Sequence, residues 1–407
     1  MAGPKKADLS REYGLVLEGG GSRGAYQVGA WKALAEGGLK IKGIAGVSVG
    51  ALNGALMTMG DLERAENLWY NIRYSDVMNV SDEDMEKLIH GKLLELDPYR
   101  LRHDMLRTLT EGGLDITPLR QLIHSCMDED KIRNSPIDFW LGTYSLTDHK
   151  EIAISAKEME PGTIEDYLMA SAYLPGFKNV PLVDGKSYVD GGVVNKLPVD
   201  MLIHQGYKDI ILLRVYGFGV ERKVKIPDDV NIYEICPHID LGNILDFDTA
   251  RSRRNMKAGY FDGLRFMRGL AGKIYYIDAD YPEEFYAALL ANLPEAARMV
   301  LVEWAGLDYT KPEALERQMF EFVFPAVAAE LKLSADWTYG ELTIAMAEVC
   351  AKNLRLNKYE IYTLEQFIAR IDEKYEEHRK SDAHFPVFVE VLMRALILSQ
   401  DYIRERT

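Results

Sequence analysis

A serine in a nucleophile-like context lies at residue 48, where Gly46, Ser48 and Gly50 form a G-x-S-x-G pattern. The pattern follows an apolar, strand-like run and precedes a helix-like segment, which is the context of a nucleophile on a sharp strand-to-helix turn. Glycines two positions to either side allow the backbone to approach closely around such a turn. The helix that follows directs its positive end toward developing negative charge. The sequence therefore indicates nucleophilic chemistry at Ser48.

A second candidate is the glycine-rich stretch GGGSRG at residues 19–24, between the first strand-like run and the first helix. Consecutive glycines let backbone N–H groups converge on one point, which makes an anion site or an oxyanion hole. Gly19, Gly21 and Gly24 also match the dinucleotide fingerprint G-x-G-x-x-G, which requires an acidic residue about 20 positions later at the end of the second strand. The second strand runs instead into the Ser48 pattern, so the sequence argues against a dinucleotide site.

A third candidate is the carboxylate of Asp190, which ends a strand-like run and precedes Gly191 and Gly192. A carboxylate followed by two glycines can enter a cleft without a neighbouring side chain in its way, although the same letters also fit an ordinary turn. A Ser-His-Asp triad would need a histidine as well. The histidines after Asp190, none in a loop context that marks a base, are His204, His238, His378 and His384.

The elements around these residues alternate between strand and helix. Apolar runs predict strands at 14–17, 41–47, 137–144, 151–155, 187–189, 209–215 and 231–236. Helical spacing predicts a helix at 25–35 and mostly helical structure over 61–127. Strand, helix, strand, helix in this order predicts an α/β fold, with a mainly parallel sheet and crossover helices.

The last third of the chain has a different character. Helical segments are predicted at 283–304, 311–332, 338–353, 363–380 and 385–404, with no strand signal of comparable strength. Residues 276–407 hold 24 acidic and 14 basic residues, so −10 of the chain's net charge of −15 lies there. We therefore expect two regions, residues 12–275 with the candidate site and an acidic helical region at 276–407.

Composition limits the function classes further. The 407 residues are 47% apolar, enough for a sizeable core, and the net charge of −15 argues against a nucleic-acid binder, which needs Lys and Arg for phosphates. It also argues against simple docking on anionic lipid, although a local basic patch remains compatible with it. Three scattered cysteines form neither a disulfide framework nor a zinc spacing. No leader-like or membrane-spanning segment is evident, which predicts a cytoplasmic protein. No cluster of Asp, His and Cys suggests a metal site, and we expect no cofactor.

Taken together, the ordered motifs resemble the patatin-like phospholipase family, in particular its bacterial members. The resemblance rests on residues 19–24, 46–50 and 190–192, on ASAYLPGF at 170–177, and on the segment 246–262. It covers roughly residues 12–265 and implies a three-layer α/β/α fold. One departure is Lys196, where family members often have Asn two positions before the proline.

The resemblance implies a Ser-Asp dyad without histidine, with Ser48 as nucleophile and Asp190 as base. It implies an oxyanion hole in the glycine loop, formed or supported by Gly19, Gly20, Gly21, Arg23 and Gly24. The substrate would be a fatty-acyl ester of a phospholipid or related lipid, with transient contact to a membrane surface and no nucleic-acid partner. Four apolar residues after Ser48 are candidates for an acyl pocket: Leu52, Leu56, Met57 and Met59.

Two other interpretations stay open at this point. One is an α/β-hydrolase-type esterase that combines Ser48 with a carboxylate and a later histidine. The other is a non-catalytic lipid-binding protein on the same fold, although such a module has no need of the serine, the aspartate and the glycine loop together.

Overall fold

A computed structural model describes residues 6–89, 112–178, 180–307, 315–379, 384–404 and 406. The chain divides into two compact units, Ala7–Met267 and Arg268–Thr407, and Lys6 belongs to the second. The expected boundary near residue 275 therefore falls inside the second unit. We call Ala7–Met267 the α/β unit and Arg268–Thr407 the helical unit.

A single sheet of seven strands organises the described part of the α/β unit. In chain order the strands are β1 Glu12–Leu17, β2 Lys40–Val47, β3 Asp138–Ser145, β4 Lys150–Ser155, β5 Tyr188–Asp190, β6 Asp209–Leu213 and β7 Asn231–Ile235. Their spatial order is β4-β3-β2-β1-β6-β7, with β5 also paired to β3. The pairs among β3, β2, β1, β6 and β7 are parallel, whereas β4 and β5 run antiparallel to β3. Each predicted strand is thus present.

Helices cover both faces of this sheet. They are α1 Gly24–Glu36, α2 Val49–Met59, α3 Leu62–Asn71, α4 Tyr74–Val77, α5 Asp82–Ile89, α6 Thr117–Cys126, α7 Glu129–Arg133, α8 Ile164–Ser171, α9 Gly192–Asn195, α10 Val199–His204 and α11 Thr249–Arg268. The predicted α/β class with a mainly parallel sheet is confirmed. The part of the predicted helical stretch that falls on 90–111 lies outside the described residues.

Helices α1 and α11 approach each other more closely than side chains normally allow. A Cβ at Gly29 would lie 1.9 Å from the carbonyl oxygen of Met256, and a Cβ at Gly259 would lie 1.9 Å from that of Tyr26. Only glycine fits at such backbone contacts. This packing fixes α1, which begins at the glycine loop, against the long helix α11.

The helical unit has its own apolar core. Its elements are β8 Tyr276–Asp278, α12 Glu283–Ala291, α13 Glu295–Trp304, α14 Leu315–Gln318, a π-helical turn Met319–Val323, α15 Phe324–Glu330, α16 Tyr339–Asn353, β9 Ile361–Thr363, α17 Leu364–Arg379, α18 Val387–Ile397 and α19 Gln400–Arg404. Buried side chains such as Phe324, Leu342 and Phe367 form this core.

The helical character of this unit is confirmed, with corrections. Strands β8 and β9 pair in parallel, although the sequence carries no comparable strand signal there. The helix predicted at 283–304 is two helices bent by 88°, and Pro294 is the N-cap of the second. The one predicted at 385–404 breaks between Ile397 and Gln400. Predicted helical residues 311–314 and 380 lie outside the described residues.

Across the described ranges, no single helix has both the length and the apolar character needed to cross a bilayer. Only the bent pair Glu283–Ala291 and Glu295–Trp304 meets these criteria, and only when the two helices are counted together.

Candidate active site

Ser48 occupies a strained turn between β2 and α2. Its φ of 57° and ψ of −130° place a non-glycine residue in a sparsely populated backbone region. The two flanking glycines make the turn possible, because a Cβ at Gly46 would lie 2.3 Å from the carbonyl oxygen of Gly50, and a Cβ at Gly50 would lie 2.3 Å from that of Leu17. The observed conformation is that of a nucleophile elbow.

Sheet register brings Asp190 to this turn. Strand β2 pairs with β3 up to Val47, which lies opposite Gly142. Beyond that point β5 pairs with β3 instead, and Asp190 lies opposite Thr143, the next residue. Since β5 runs antiparallel, its last residue meets the carboxyl end of β2. Ser48 and Asp190, 142 positions apart in sequence, are therefore neighbours at one sheet edge.

Ser171, the last residue of α8, fixes the turn from a third element. Its hydroxyl donates to the carbonyl of Gly142 at 2.6 Å and accepts from the backbone N–H of Ser48 at 2.9 Å. The segment 170–177 was singled out only by resemblance, so this contact had no predicted role. The backbone of the same segment also holds the aspartate, because the carbonyl of Tyr173 accepts from the N–H of Asp190 at 2.8 Å.

Burial raises the pKa of Asp190 to about 6. Two interactions oppose this effect, a hydrogen bond from the Ser48 hydroxyl and one from the backbone N–H of Gly192, which reaches Oδ1 at 2.7 Å. The other oxygen, Oδ2, is buried, and no described residue makes a hydrogen bond of standard geometry with it. Asp190 is thus a desolvated carboxylate beside a serine hydroxyl, with one oxygen able to accept a proton.

Hydrogen bonding divides the glycine loop into free and occupied amides. The N–H of Gly19 donates to the carbonyl of Lys196 at 3.0 Å, and that of Gly24 donates within the loop to the carbonyls of Gly21 and Ser22. Within the described ranges, no group accepts from the amides of Gly20 or Gly21. A Cβ placed on Gly19 would lie 3.2 Å from the Cβ of Ser48, so the loop passes directly beside the serine.

Gly21 is required by its conformation as well as by its neighbours. Its φ is +56°, and a Cβ there would lie 2.1 Å from the carbonyl oxygen of Ile244. A side chain at this position would be strained and would collide with the 242–247 segment. The loop geometry therefore depends on glycine at the position where the free amide lies.

Arg23 supports the loop through backbone carbonyls. Its guanidinium donates to the carbonyl of Gly242 at 2.8 Å and to that of Val215 at 3.2 Å, and it also donates to the carbonyl of Tyr216. All three acceptors lie in segments that flank the glycine loop. Arg23 thus joins these segments, as a planar guanidinium with several donors can.

A buried ion pair lies directly before the glycine loop. Glu18 is completely buried, and its Oε2 accepts from the amides of Val215 at 2.7 Å and Tyr216 at 2.9 Å. Lys196 Nζ lies 3.1 Å from Glu18 Oε1, and Arg214 Nε lies 3.9 Å from Oε2. Lys196 is the position that departs from the family pattern, and its charge here compensates Glu18. Neither residue has a role predicted from the sequence, because nothing in the spacing pairs them.

An apolar cavity opens beside Ser48. Apart from Ser48 its lining is apolar side chains, Gly21 and Asn53, and Asn53 is occupied by hydrogen bonds to Gly24 and Gln27. The main apolar contributions come from α2, α3 and α6 and from the segment 245–247. Leu52 and Leu56 line the cavity as expected, whereas Met57 and Met59 do not. The surroundings match an acyl chain rather than a polar substrate group.

Neither a histidine nor a cluster of potential metal ligands lies at this site among the described residues. None of the described histidines lines the cavity, and none hydrogen bonds to Ser48 or Asp190. His238 contacts Asp262 and Arg265, and His378 contacts the carbonyl of Lys374. The described residues contain no cluster of three His, Cys, Asp or Glu side chains placed to hold a metal.

Comparison with known proteins identifies one domain in this chain. A model of the patatin-like phospholipase family matches residues 15–203. Neuropathy target esterase sws from Drosophila melanogaster is 30% identical over 208 residues, which cover 50% of this chain and 13% of that protein. Patatin-like phospholipase domain-containing protein 7 from Rattus norvegicus is 31% identical over 205 residues, with 49% and 13% covered. The chain carries a patatin-like phospholipase domain.

The patatin-like phospholipase domain predicted from the ordered motifs is thereby confirmed over residues 15–203, and the bacterial origin stays a prediction. The matched part of the patatin-like domain holds Ser48, Asp190 and the glycine loop, and residues beyond 203 complete the α/β unit with β6, β7 and α11. The curated relatives are far longer than the shared region, since the match spans only 13% of each. The crystal structure of VipD from Legionella pneumophila is similar at a TM-score of 0.40 and 13% identity, covering 97% of this chain and 92% of that one.

Proposed function

We propose that this protein is a serine acyl hydrolase that cleaves fatty-acyl ester bonds of phospholipids or related lipids. The observation that carries the proposal is the pairing of a strained serine with a desolvated aspartate at the mouth of an apolar cavity. An acyl chain can occupy the cavity. The ester carbonyl at the end of that chain then lies beside Ser48. The patatin-like phospholipase domain supports the same reaction class.

In the proposed mechanism, Asp190 takes the proton of the Ser48 hydroxyl while Ser48 Oγ attacks the ester carbonyl carbon. The carbonyl oxygen becomes an oxyanion, which the free amides of Gly20 and Gly21 stabilise. Collapse of this intermediate breaks the bond to the alcohol, which leaves with the proton from Asp190, and an acyl-enzyme remains. Water then attacks the acyl carbon with Asp190 as base, and the fatty acid and Ser48 are released. Losing one oxyanion donor typically costs about 2.7–4 kcal/mol in the transition state.

The division of roles in the loop follows from its hydrogen bonds. Gly19 and Gly24 use their amides within the structure, so we assign them, with Arg23, to positioning rather than to the oxyanion itself. Gly46, Gly50 and Gly191 allow the close backbone approaches around Ser48 and Asp190, and Gly192 leaves room for the Asp190 carboxylate, since a Cβ there would lie 3.0 Å from Oδ1. A Cβ at Gly191, for example, would lie 2.7 Å from the carbonyl oxygen of Gly142.

The direct test is covalent labelling of the full chain with a fluorophosphonate, read by mass spectrometry, beside hydrolysis of a short p-nitrophenyl ester and of phosphatidylcholine vesicles. We expect one adduct on the peptide containing Ser48, and we expect Ser48→Ala to abolish both labelling and hydrolysis. Ser334→Ala, a change at an exposed serine of the helical unit, is the matched control. A folded parent chain that is neither labelled nor active would favour the non-catalytic interpretation instead.

A further inference from the structure

An exposed apolar segment lies beside the proposed active site, between β6 and β7. Tyr216 is 50% exposed, Phe218 is 78% exposed and Val220 is 53% exposed. Exposed apolar side chains are common singly, but three within five residues form a patch. Basic residues follow directly, at Arg222, Lys223 and Lys225. We call residues 216–225 the exposed loop.

Hydrogen bonds anchor the exposed loop on both sides of Phe218. The amide of Tyr216 donates to the buried carboxylate of Glu18, and Lys196 Nζ donates to the carbonyl of Gly217 at 2.9 Å. The N–H of Val220 donates to the carbonyl of Gly192 at 2.9 Å, and the carbonyl of Val220 accepts from the N–H of Lys196 at 2.8 Å. Phe218 lies between these fixed points, so its exposure is imposed by the structure.

The loop also touches the proposed catalytic elements. A Cβ at Gly217 would lie 1.7 Å from the carbonyl oxygen of Gly19, and a Cβ at Gly219 would lie 2.2 Å from that of Gly192. Gly19 begins the glycine loop, and Gly192 donates its amide to Asp190. A surface that engaged Phe218 would therefore be held next to the proposed active site.

Charge around the loop differs from that of the whole chain. Arg222 forms ion pairs with Glu151 and Asp200, whereas Lys223 and Lys225 form none with the described residues. Of the nearby carboxylates, Glu221 is paired with Arg214 and Asp229 with Lys208, which leaves Asp228 in the turn before β7. Two uncompensated lysines thus lie beside an apolar patch on a chain of net charge −15.

We propose that the exposed loop docks the protein on an anionic lipid bilayer, with Phe218 inserted among the lipids and Lys223 and Lys225 against the head groups. Apolar side chains flanked by lysines match the acyl region and the charged surface of a bilayer in turn. A negatively charged bilayer surface attracts the two lysines but does not attract the acidic remainder of the chain. This inference rests on the proposed function, because a bilayer is the partner of an enzyme whose substrate is lipid.

The test is flotation of the full chain with equimolar phosphatidylcholine and phosphatidylglycerol vesicles, in a Ser48→Ala background so that no lipid is consumed. Because Phe burial and lysine attraction act together, we expect Phe218→Ser to weaken binding about tenfold. The double change Lys223→Glu and Lys225→Glu should weaken it at least about tenfold. High salt and pure phosphatidylcholine vesicles should each reduce binding of the unchanged loop.

Matched controls lie in the helical unit. Phe322→Ser removes another exposed phenylalanine, and the pair Lys352→Glu and Lys358→Glu makes the same charge change at exposed lysines. These variants should bind like the parent, and all variants should keep the parent's melting temperature. Equal binding by Phe218→Ser and Phe322→Ser would overturn the proposal. The proposal would also fail if the parent did not bind vesicles and Phe218→Ser abolished self-association, since the loop would then be a contact between protein molecules.

The binding assay needs no turnover, so the two proposals fail separately. A chain that floats through its loop yet hydrolyses no ester would refute the hydrolase and retain the docking surface. An active chain whose vesicle binding is unchanged by every loop substitution would retain the hydrolase and refute the docking surface.

Discussion

Two almost completely buried carboxylates in the α/β unit have opposite surroundings. Glu18 accepts from two backbone amides and has Lys196 at 3.1 Å and Arg214 at 3.9 Å. Asp190 accepts from one amide, and no described lysine or arginine forms an ion pair with it. The same unit therefore compensates one buried negative charge with cations and leaves the other uncompensated.

This difference teaches how a fold can separate a structural carboxylate, Glu18, from a carboxylate suited to the proposed reaction, Asp190. A charge that is matched by cations and amides holds the segments around it, and breaking such a buried pair is costly. Burial without a nearby cation destabilises the ionised form of a carboxylate. Burial therefore raises the pKa of Asp190 to about 6. Such a carboxylate is stabilised when it accepts a proton, which is what a general base does.

The largest expected effect comes from removing the reactive carboxylate. Asp190→Asn keeps the shape and an oxygen for the Gly192 amide, but it cannot accept a proton from Ser48. General-base catalysis typically contributes about 10²–10⁴-fold, so kcat on a soluble p-nitrophenyl ester should fall by about that factor. Steady-state kinetics check this, with Asp184→Asn, at an exposed aspartate, as the control. Retention of most activity by Asp190→Asn would place the base elsewhere and favour a histidine triad.

The structural carboxylate should respond in the opposite way. Glu18→Gln leaves Lys196 buried without its counter-charge, and we expect it to lower the free energy of unfolding by about 3 kcal/mol. Thermal unfolding of the full chain measures the change. Removing both charges in the double variant Glu18→Gln and Lys196→Met should recover much of the loss, because no buried charge is then unpaired. If the single variant is as stable as the parent, the ion pair does not hold this region.

The sequence predicts the reactive half of this comparison better than the structural half. Ser48 and Asp190 carry local signals, a G-x-S-x-G turn and a D-G-G triplet at strand ends, and the α/β order brings strand ends to one edge. Glu18 and Lys196 have no such signal. They meet only because β1 and the segment after α9 converge in three dimensions, which no local pattern encodes.

The errors in the helical unit have a similar origin. Helical periodicity continues through 283–304, but the proline at position 294 stops backbone hydrogen bonding there and the chain turns by 88°. Strands β8 and β9 are three residues each, too short for an alternating pattern to show. In α2, periodicity marks Met57 as apolar without stating which face meets the cavity, and Met57 is buried away from the cavity that Leu52 and Leu56 line.

The sharpest test of the contrast is the pH dependence of stability and of catalysis. The folded pKa of Asp190 is about 6, and an unfolded aspartate titrates near 3.9. Below about pH 3 the carboxyl is protonated in both states, so its burial does not lower the free energy of unfolding. As pH rises toward 6, the unfolded chain ionises first, so the native state loses stability, by about 3 kcal/mol once both states are ionised.

Asparagine is neutral at every pH and avoids this loss. The melting temperature of Asp190→Asn should therefore equal that of the parent near pH 3 and exceed it by several degrees above pH 6. The same ionisation must appear in catalysis, because only the carboxylate accepts a proton. We expect kcat/KM of the parent on a soluble ester to fall about tenfold per pH unit below a midpoint of about 6. A catalytic midpoint near 6 with no pH-dependent difference in stability would assign the titration to another group, whereas coinciding changes would tie both to the uncompensated carboxyl of Asp190.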